Sequence, residues 1–527
     1  MAGTDVANTP HARASGVLLH PTCLPGPHGS GDCGPAAYHF VDWLVAAGQR
    51  LWQILPLNPI GAGDSPYSSA SALAGNPLLI DLSELHHQGW LDDAQMHLPA
   101  GMQAHAVNFP VVGAYRMKCL AAACSKFLAL SDDAPARADF RAFCGQQQSW
   151  LDDYSLFMAL NDAHSGQTWC QWPPALARRD PTALALAREQ YPRELLFWQF
   201  CQWTFHRQWR RLKDYANSRG IRIVGDMPIF VAHHSADVWA RPDLFLLDAT
   251  GMPAVVAGVP PDYFSATGQR WGNPLYDWPK HRKENFAWWV QRLRSVLRLV
   301  DSVRIDHFRG FAAHWEIPAT ESTAVRGRWR KGPGAALFKA LEEALGPLPV
   351  IAEDLGEITP DVEALRKRLG FPGMCILQFA FGDDSTNPYL PHRYARDSVV
   401  YPGTHDNDTT AGWWTQASEH ERSFARAYLG RVDGIDPGEH RDDEAAAMTW
   451  ALVRAACASV ADTAIIAMQD VLALPSAARM NMPGEGEGCW QWRMQWQQVL
   501  PHHADRLAAL CRLYGRDPPL PGNHVRL

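Results

Sequence analysis

A chain of 527 residues with 47% hydrophobic content is long enough for one large globular domain with insertions. The net charge of -7 and the lack of a dominant basic patch are untypical of a nucleic-acid-binding protein, so we expect a neutral partner. Eleven scattered cysteines and no apolar run of transmembrane length favour free thiols in a cytoplasmic protein that does not enter a membrane.

The beginning of the chain predicts a strand, a helix and a second strand in quick succession. Strands over 16–21 and 51–56 flank helical spacing over 35–48, which favours a parallel crossover unit. The loop after the second strand leaves its carboxyl end, so we expect Tyr67 in that loop to line a site. From 82 to 219 helical spacing dominates, which predicts a mostly helical insertion.

The third predicted strand delivers an acid, Asp226, near its carboxyl end. His233 and His234 follow it, but adjacent histidines point in different directions and no third ligand has suitable spacing, so we expect no metal site. The segment 255–276 has neither helical nor strand period and is rich in aromatic residues. We therefore predict an active-site lid loop within 251–280.

Three later apolar runs also end in carboxylates, which are those of Asp306, Glu353 and Asp406. Arg304 precedes Asp306 by two positions, and side chains at i and i+2 share one face of a strand, so its guanidinium can hold the carboxylate ionised. A lone Arg-x-Asp is also typical of a structural ion pair. Two carboxylates on opposite sides of a scissile bond, with a third nearby, are the groups that cleave glycosidic bonds.

Two further predicted strands, over 375–380 and 464–470, bring the count to eight, with helical patterns between most of them. This alternation predicts an α/β fold, a (β/α)₈ barrel that forms one catalytic domain over 1–527. The strand-end acids, which include Asp470 at the eighth strand, would then meet on one face of the barrel.

Motifs of one known family occur along nearly the whole chain, from Gly16 to Leu474. They include GDSPYSSASALAGNPLLIDL, GDMPIFVA, VPPDYFSATGQRWGNPLY, VRIDHFRGF, AEDLG, GTHDNDTT and QDVLAL. With these motifs the chain resembles the 4-α-glucanotransferases, also called amylomaltases or disproportionating enzymes, in their shorter bacterial form. The resemblance implies a transferase that moves α-1,4-glucan segments between maltooligosaccharides, with neither a metal nor an organic cofactor.

The resemblance also implies roles for individual residues. Asp306 would be the nucleophile, Glu353 the general acid and base, and Asp406 the group that stabilises the distorted donor sugar. The implied substrate-binding residues are Tyr67, Asn76, Asp226, Gln269, Trp271, Arg304 and His405. Two alternatives remain open at this point, namely an α-1,4-glucan hydrolase of the α-amylase-like group and a non-catalytic glucan-binding protein.

Overall fold

The computed structural model describes residues 13–261, 265–430 and 441–517, so residues 262–264 of the predicted lid loop and both ends of the predicted domain lie outside it. The strands of the described residues, in chain order, are β1 Ala14–Leu18, β2 Leu51–Gln53, β3 Arg222–Pro228, β4 Val255–Val259, β5 Gln269–Pro274, β6 Ser302–Asp306, β7 Ala313–Pro318, β8 Arg328–Lys331, β9 Val350–Ala352, β10 Gly373–Ile376, β11 Ser398–Tyr401 and β12 Thr463–Ala467.

Eight of these strands form one parallel sheet in the order β10-β11-β12-β1-β2-β3-β6-β9. The first and last strands of this order meet where the amide of Ala352 donates to the carbonyl of Pro372, with an N···O distance of 2.9 Å. The sheet is therefore a nearly closed barrel, and the predicted (β/α)₈ architecture is confirmed.

The barrel strands are short apolar runs because helices or loops cover them outside and side chains fill them inside. All five residues of β1 are buried. Gly16 is required there, since a Cβ atom at this position would lie 2.5 Å from the Cβ of Leu51 on the neighbouring strand. Strands β1 and β2 therefore pack closely against each other, and the loops that follow these two strands leave from this part of the sheet.

Helices surround the barrel and fill the long interval between β2 and β3. In chain order they are α1 Pro35–Ala46, α2 Leu82–His87, α3 Phe109–Leu128, α4 Pro135–Ala163, α5 Pro174–Ala177, α6 Pro181–Gln190, α7 Pro192–Ser218, α8 Ala236–Ala240, α9 Trp278–Lys283, α10 Ala287–Leu299, α11 Ala335–Leu345, α12 Pro360–Leu369, α13 Thr410–Gln416, α14 Glu419–Leu429, α15 Arg441–Ala458, α16 Met468–Val471 and α17 Pro501–Leu513. Helices α2 to α7 lie in the span 82–219, where α4 packs on α7. No helix of the described ranges has the length and apolar character needed to cross a bilayer.

A second, four-stranded antiparallel sheet corrects the prediction that 255–276 has no regular structure. Its order is β5-β4-β7-β8, and both β4 and β5 lie within that span. The alternation is hidden in the sequence because Gly258 and Gly272 interrupt the strands and the register shifts between Val256 and Gly258. We call this four-stranded sheet the small sheet.

Several barrel strands end earlier than predicted, among them β1 at Leu18 rather than 21 and β2 at Gln53 rather than 56. β10 ends at Ile376 because Leu377–Phe379 form a 3₁₀ turn, and β12 ends at Ala467 because α16 follows directly. Asp470 therefore lies in a short helix rather than at a strand end. A run of apolar residues does not distinguish a strand from the buried first turn of a helix, which explains the difference.

Candidate active site

Asp306 ends β6 and belongs to a chain of charged groups on two neighbouring barrel strands. Arg304 of β6 and Asp226 of β3 are register partners. Arg304 Nη1 donates to Asp226 Oδ1 at 3.0 Å and to Oδ2 at 2.9 Å, while Arg304 Nη2 lies 3.0 Å from Asp306 Oδ1. The contact expected between Arg304 and Asp306 is present. Asp226 and Arg304 are buried, whereas the side chain of Asp306 is 30% exposed.

Tyr67 and His405 extend this chain of contacts across the barrel mouth. The Tyr67 hydroxyl donates to Asp226 Oδ2 at 2.9 Å and lies 2.9 Å from His405 Nε2. Since the single hydroxyl proton goes to Asp226, His405 Nε2 must carry the proton that it shares with the Tyr67 oxygen. The two rings stack with centroids 5.5 Å apart. These three side chains therefore form one hydrogen-bonded wall.

Asp406 follows β11 and is fixed by groups that the sequence did not point to. Its Oδ1 accepts from Asn481 Nδ2 at 2.6 Å, and its Oδ2 lies 3.4 Å from His405 Nε2. Arg479 Nη2 donates to the Asp406 carbonyl at 2.7 Å. Arg479 and Asn481 belong to the stretch ARMN, which lies shortly after the motif QDVLAL. The presence of polar residues at this position is the only feature of the sequence that could have pointed to them. Asp406 is thus held in place with its carboxylate still 38% exposed.

Glu353 follows β9 and is bound to the turn that carries Asp306. Its Oε2 accepts from the amide of His307 at 2.6 Å, and its Oε1 accepts from the amide of Leu355 at 2.9 Å. His307 has φ 52° and ψ 47°, a left-handed conformation that is uncommon for residues other than glycine. The amide directly after Asp306 therefore donates to Glu353, so the two carboxyl groups lie on either side of one turn.

The electrostatic surroundings give Glu353 and Asp306 different protonation behaviour. Burial raises the pKa of Glu353 to about 7, and the charge of Asp306 acts in the same direction, while Arg304 and the two amides oppose it. Burial also raises the pKa of Asp306, with Arg304 as the main opposing charge. Because Asp306 alone of the two touches a guanidinium, it is the group that ionises first.

A family model described as 4-alpha-glucanotransferase matches residues 19–499 of this chain. The chain belongs to this family. It is 50% identical to a 4-alpha-glucanotransferase of Thermus thermophilus, over 94% of this chain and 98% of the relative, and 47% identical to one of Synechocystis, over 96% and 98%. Its fold is similar to that of an amylomaltase from Streptococcus agalactiae solved with acarbose, with a TM-score of 0.91 and 39% identity over 96% of this chain and all of the other.

Two further residues expected at a 4-alpha-glucanotransferase site, Gln269 and Trp271, lie on β5 of the small sheet. Trp271 Nε1 donates to Gln269 Oε1 at 3.1 Å. The indole also packs edge-on against the ring of His307, with centroids 4.8 Å apart, and remains 39% exposed. The structure therefore brings both residues to the turn that follows Asp306.

Asn76 is not joined to these groups by any hydrogen bond of the described residues. Its side chain is buried, and its Oδ1 accepts from the amide of Leu78 at 2.9 Å. This contact caps the 3₁₀ turn Pro77–Leu79. The structure thus gives Asn76 a structural contact, and its role at a 4-alpha-glucanotransferase site remains a prediction.

One aromatic side chain that was not assigned to the site from the sequence, Trp490, packs against two of its residues. Trp490 has a centroid 5.6 Å from that of Tyr67 and 6.0 Å from that of His405, and it is buried. Its position depends on a loop conformation, which a pattern of apolar residues does not predict.

Proposed function

We propose that this 4-alpha-glucanotransferase acts on maltooligosaccharides and other α-1,4-glucans by a retaining double displacement. Asp306 is the nucleophile, Glu353 the general acid and then base, and Asp406 the group that stabilises the transition state. The observation that supports this assignment is that Glu353 accepts a hydrogen bond from the amide of His307, the residue after Asp306. Carboxyl groups at the ends of the paired strands β6 and β9 can act on the two sides of one glycosidic bond.

In the first step, Asp306 attacks the anomeric carbon of the donor sugar. Arg304 holds its Oδ1, so Oδ2 is the oxygen left for attack. As the new C1–O bond forms, the glycosidic C1–O4 bond breaks and its electron pair goes to O4. Glu353 gives its proton to O4, which releases the shortened glucan.

In the second step, a hydroxyl of the acceptor glucan attacks the same carbon. Glu353, now ionised, takes the hydroxyl proton, and Asp306 leaves as a carboxylate. Each step inverts the anomeric carbon, so the product has the α configuration of the donor. One glycosidic bond is broken and one is formed, so the number of reducing ends does not change.

The residues around the nucleophile bind the donor sugar and stabilise its positive charge. Asp406 presents a fixed, partly exposed carboxylate to the oxocarbenium-like transition state. Tyr67, Asp226 and His405 offer hydrogen bonds to sugar hydroxyls from a preformed wall. Because their mutual bonds are already made, little reorganisation is needed when the charge develops.

Gln269 and Trp271 cover the turn after Asp306 and shape the acceptor side. An exposed indole can stack on a sugar ring and can also keep water away from the glycosyl-enzyme. The carboxylates supply both nucleophile and proton, so the scheme uses neither a metal nor an organic cofactor. We also propose a cytoplasmic location, because all eleven cysteines are unpaired, which is typical of proteins from reducing compartments.

Incubation of the purified protein with maltotriose, with products separated by length over time, tests this proposal. We expect glucose together with a ladder of longer oligomers. Release of shorter sugars alone would favour the hydrolase alternative, and an unchanged trimer would favour the binding-protein alternative.

Asp306→Asn should lower this activity by about 10⁴-fold or more while leaving the fold intact. The matched control is Asp505→Asn, which makes the same chemical change on the exposed surface of α17. A substantial activity of the Asp306 variant would contradict the proposed nucleophile.

A further inference from the structure

The small sheet contacts the segment after Asp306 through both of its edge strands. From β5, Trp271 packs edge-on against His307. From β8, the indole of Trp329 lies over the guanidinium of Arg309, whose central carbon is 3.8 Å from the ring centroid. Two residues of one short turn are therefore each contacted by a tryptophan from a different edge of the sheet.

Arg309 also connects this turn to the loop that follows Glu353. Its side chain is buried, and its Nη1 donates to the carbonyl of Glu357. A planar guanidinium can bond to a carbonyl at its edge and stack on an indole with its face, which a lysine ammonium cannot do together in the same way. One side chain thus joins the turn of the proposed nucleophile, the loop of the proposed acid and the edge of the small sheet.

The small sheet is joined to the same turn by the chain itself, since β7 begins at Ala313, and by backbone hydrogen bonds just beyond β8. The amide of Gly332 donates to the carbonyl of Ala312 at 2.8 Å, and that of Gly334 donates to Phe311 at 2.9 Å. A Cβ atom at Gly332 would lie 2.2 Å from the Phe311 oxygen, so the two backbones are in close contact. Within β8 itself, the Arg309–Trp329 stack adds a side-chain contact that limits rotation of the sheet about this attachment.

We infer that Arg309 is a positioning residue that holds the small sheet against the turn after Asp306 and thereby favours a glucan acceptor over water. The inference rests on the proposed glycosyl-enzyme. Without the stack, the sheet can tilt about its connection to the turn at Ala312 and move Trp271 away from His307. Water can then replace the acceptor hydroxyl: its oxygen bonds to the anomeric carbon, its proton goes to Glu353, and the bond to Asp306 breaks so that Asp306 leaves as a carboxylate, which turns transfer into hydrolysis.

The test compares Trp329→Ala with Trp329→Phe, which keeps an aromatic face for the guanidinium. Both variants and the unmodified protein are incubated with maltotriose, and new reducing ends and elongated products are counted in the same samples. Transfer leaves the number of reducing ends constant, whereas each hydrolytic event adds one. We expect the hydrolysed fraction of turnovers to rise about three- to tenfold in Trp329→Ala and to stay near the original value in Trp329→Phe.

Arg309→Lys is a second variant that keeps the charge but loses the planar group. Its hydrolysed fraction should lie between those of Trp329→Ala and Trp329→Phe. An equal fraction in Trp329→Ala and the unmodified protein, or an equal fall of both reactions, overturns the inference, as does the same increase in Trp329→Phe. If the unmodified protein makes no longer oligomers, the proposed function itself fails. If the unmodified protein makes longer oligomers and all variants have the same hydrolysed fraction of turnovers, only the role of Arg309 fails.

Discussion

The protonation of Glu353 decides at which pH the proposed first step can occur. Burial raises the pKa of Glu353 to about 7, so a substantial fraction of the molecules still carries this proton near neutral pH. We expect kcat/KM for maltotriose to fall as the pH rises above about 7, because an ionised Glu353 cannot protonate the leaving oxygen. Initial rates measured between mildly acidic and alkaline pH test this expectation. A value of kcat/KM that still increases well above pH 7 would contradict the assignment.

The raised pKa of Glu353 also predicts that ionisation of this residue destabilises the folded protein. In the unfolded chain Glu353 titrates near 4.5, so the native state holds its proton more tightly. Stability is therefore complete below about pH 4.5 and is lost as the pH rises through about 7. Glutamine keeps only one of the two oxygens that accept amide hydrogen bonds, so Glu353→Gln has a cost that does not depend on pH. Between pH 4 and pH 8, the stability of Glu353→Gln relative to the unmodified protein should rise on the order of 1–3 kcal/mol. Urea unfolding at both pH values measures this, and an equal stability difference at the two pH values would count against it.

The hydroxyl of Tyr67 is a second group whose removal should lower activity. Tyr67→Phe deletes the hydroxyl between Asp226 and His405 and leaves most of the ring packing unchanged. Loss of a hydrogen bond to a charged group should lower kcat/KM about 10- to 100-fold. The control is Tyr428→Phe in α14, whose hydroxyl bonds to His392 away from the carboxylates. A similar loss in both variants would show that the effect is not specific to the site.

At the level of elements, Asp470 connects α16 to the start of α13. Its Oδ1 accepts from the amide of Thr410, the first residue of α13, at 2.7 Å, and both residues are buried. Asp470→Ala leaves that amide without its partner and should lower the free energy of unfolding by about 1–3 kcal/mol, with reduced activity because the loop of Asp406 precedes α13. Asp470→Asn retains an acceptor oxygen and should be affected much less. Thermal unfolding and kcat/KM of both variants test this expectation. Equal losses in Asp470→Ala and Asp470→Asn would refute the role of Asp470 as the acceptor for the Thr410 amide.

The contrast between the two sheets shows what the sequence could predict. The barrel strands are buried apolar runs, and their parallel order places the following loops on one face, so the positions of Asp226, Asp306, Glu353 and Asp406 could be predicted. The small sheet could not, since β5 is QRWGNP and β8 is RWRK, which are mostly polar and depend on pairing with neighbours. Likewise, the bond between Asp406 and Asn481 joins loops 75 residues apart.

For the whole molecule, the packing predicts one cooperative unit. The helices of the span 82–219 and the barrel share a single buried cluster, which contains Phe127 and Trp203 as well as Val17 and Ile465. We therefore expect a single unfolding transition, in which tryptophan fluorescence and far-ultraviolet circular dichroism change together with denaturant. Two separated transitions would mean that the helical insertion folds independently of the barrel.

The division of Arg304 between two carboxylates has a consequence for the timing of the reaction. Asp226 takes hydrogen bonds from one nitrogen of the guanidinium, so only part of that charge acts on Asp306. A stronger interaction between Arg304 and Asp306 would make Asp306 a better leaving group but a weaker nucleophile, since both properties depend on how far the negative charge of Asp306 is stabilised. In the proposed mechanism, Asp226 therefore helps to set the lifetime of the covalent intermediate. That lifetime is the interval in which an acceptor glucan must arrive.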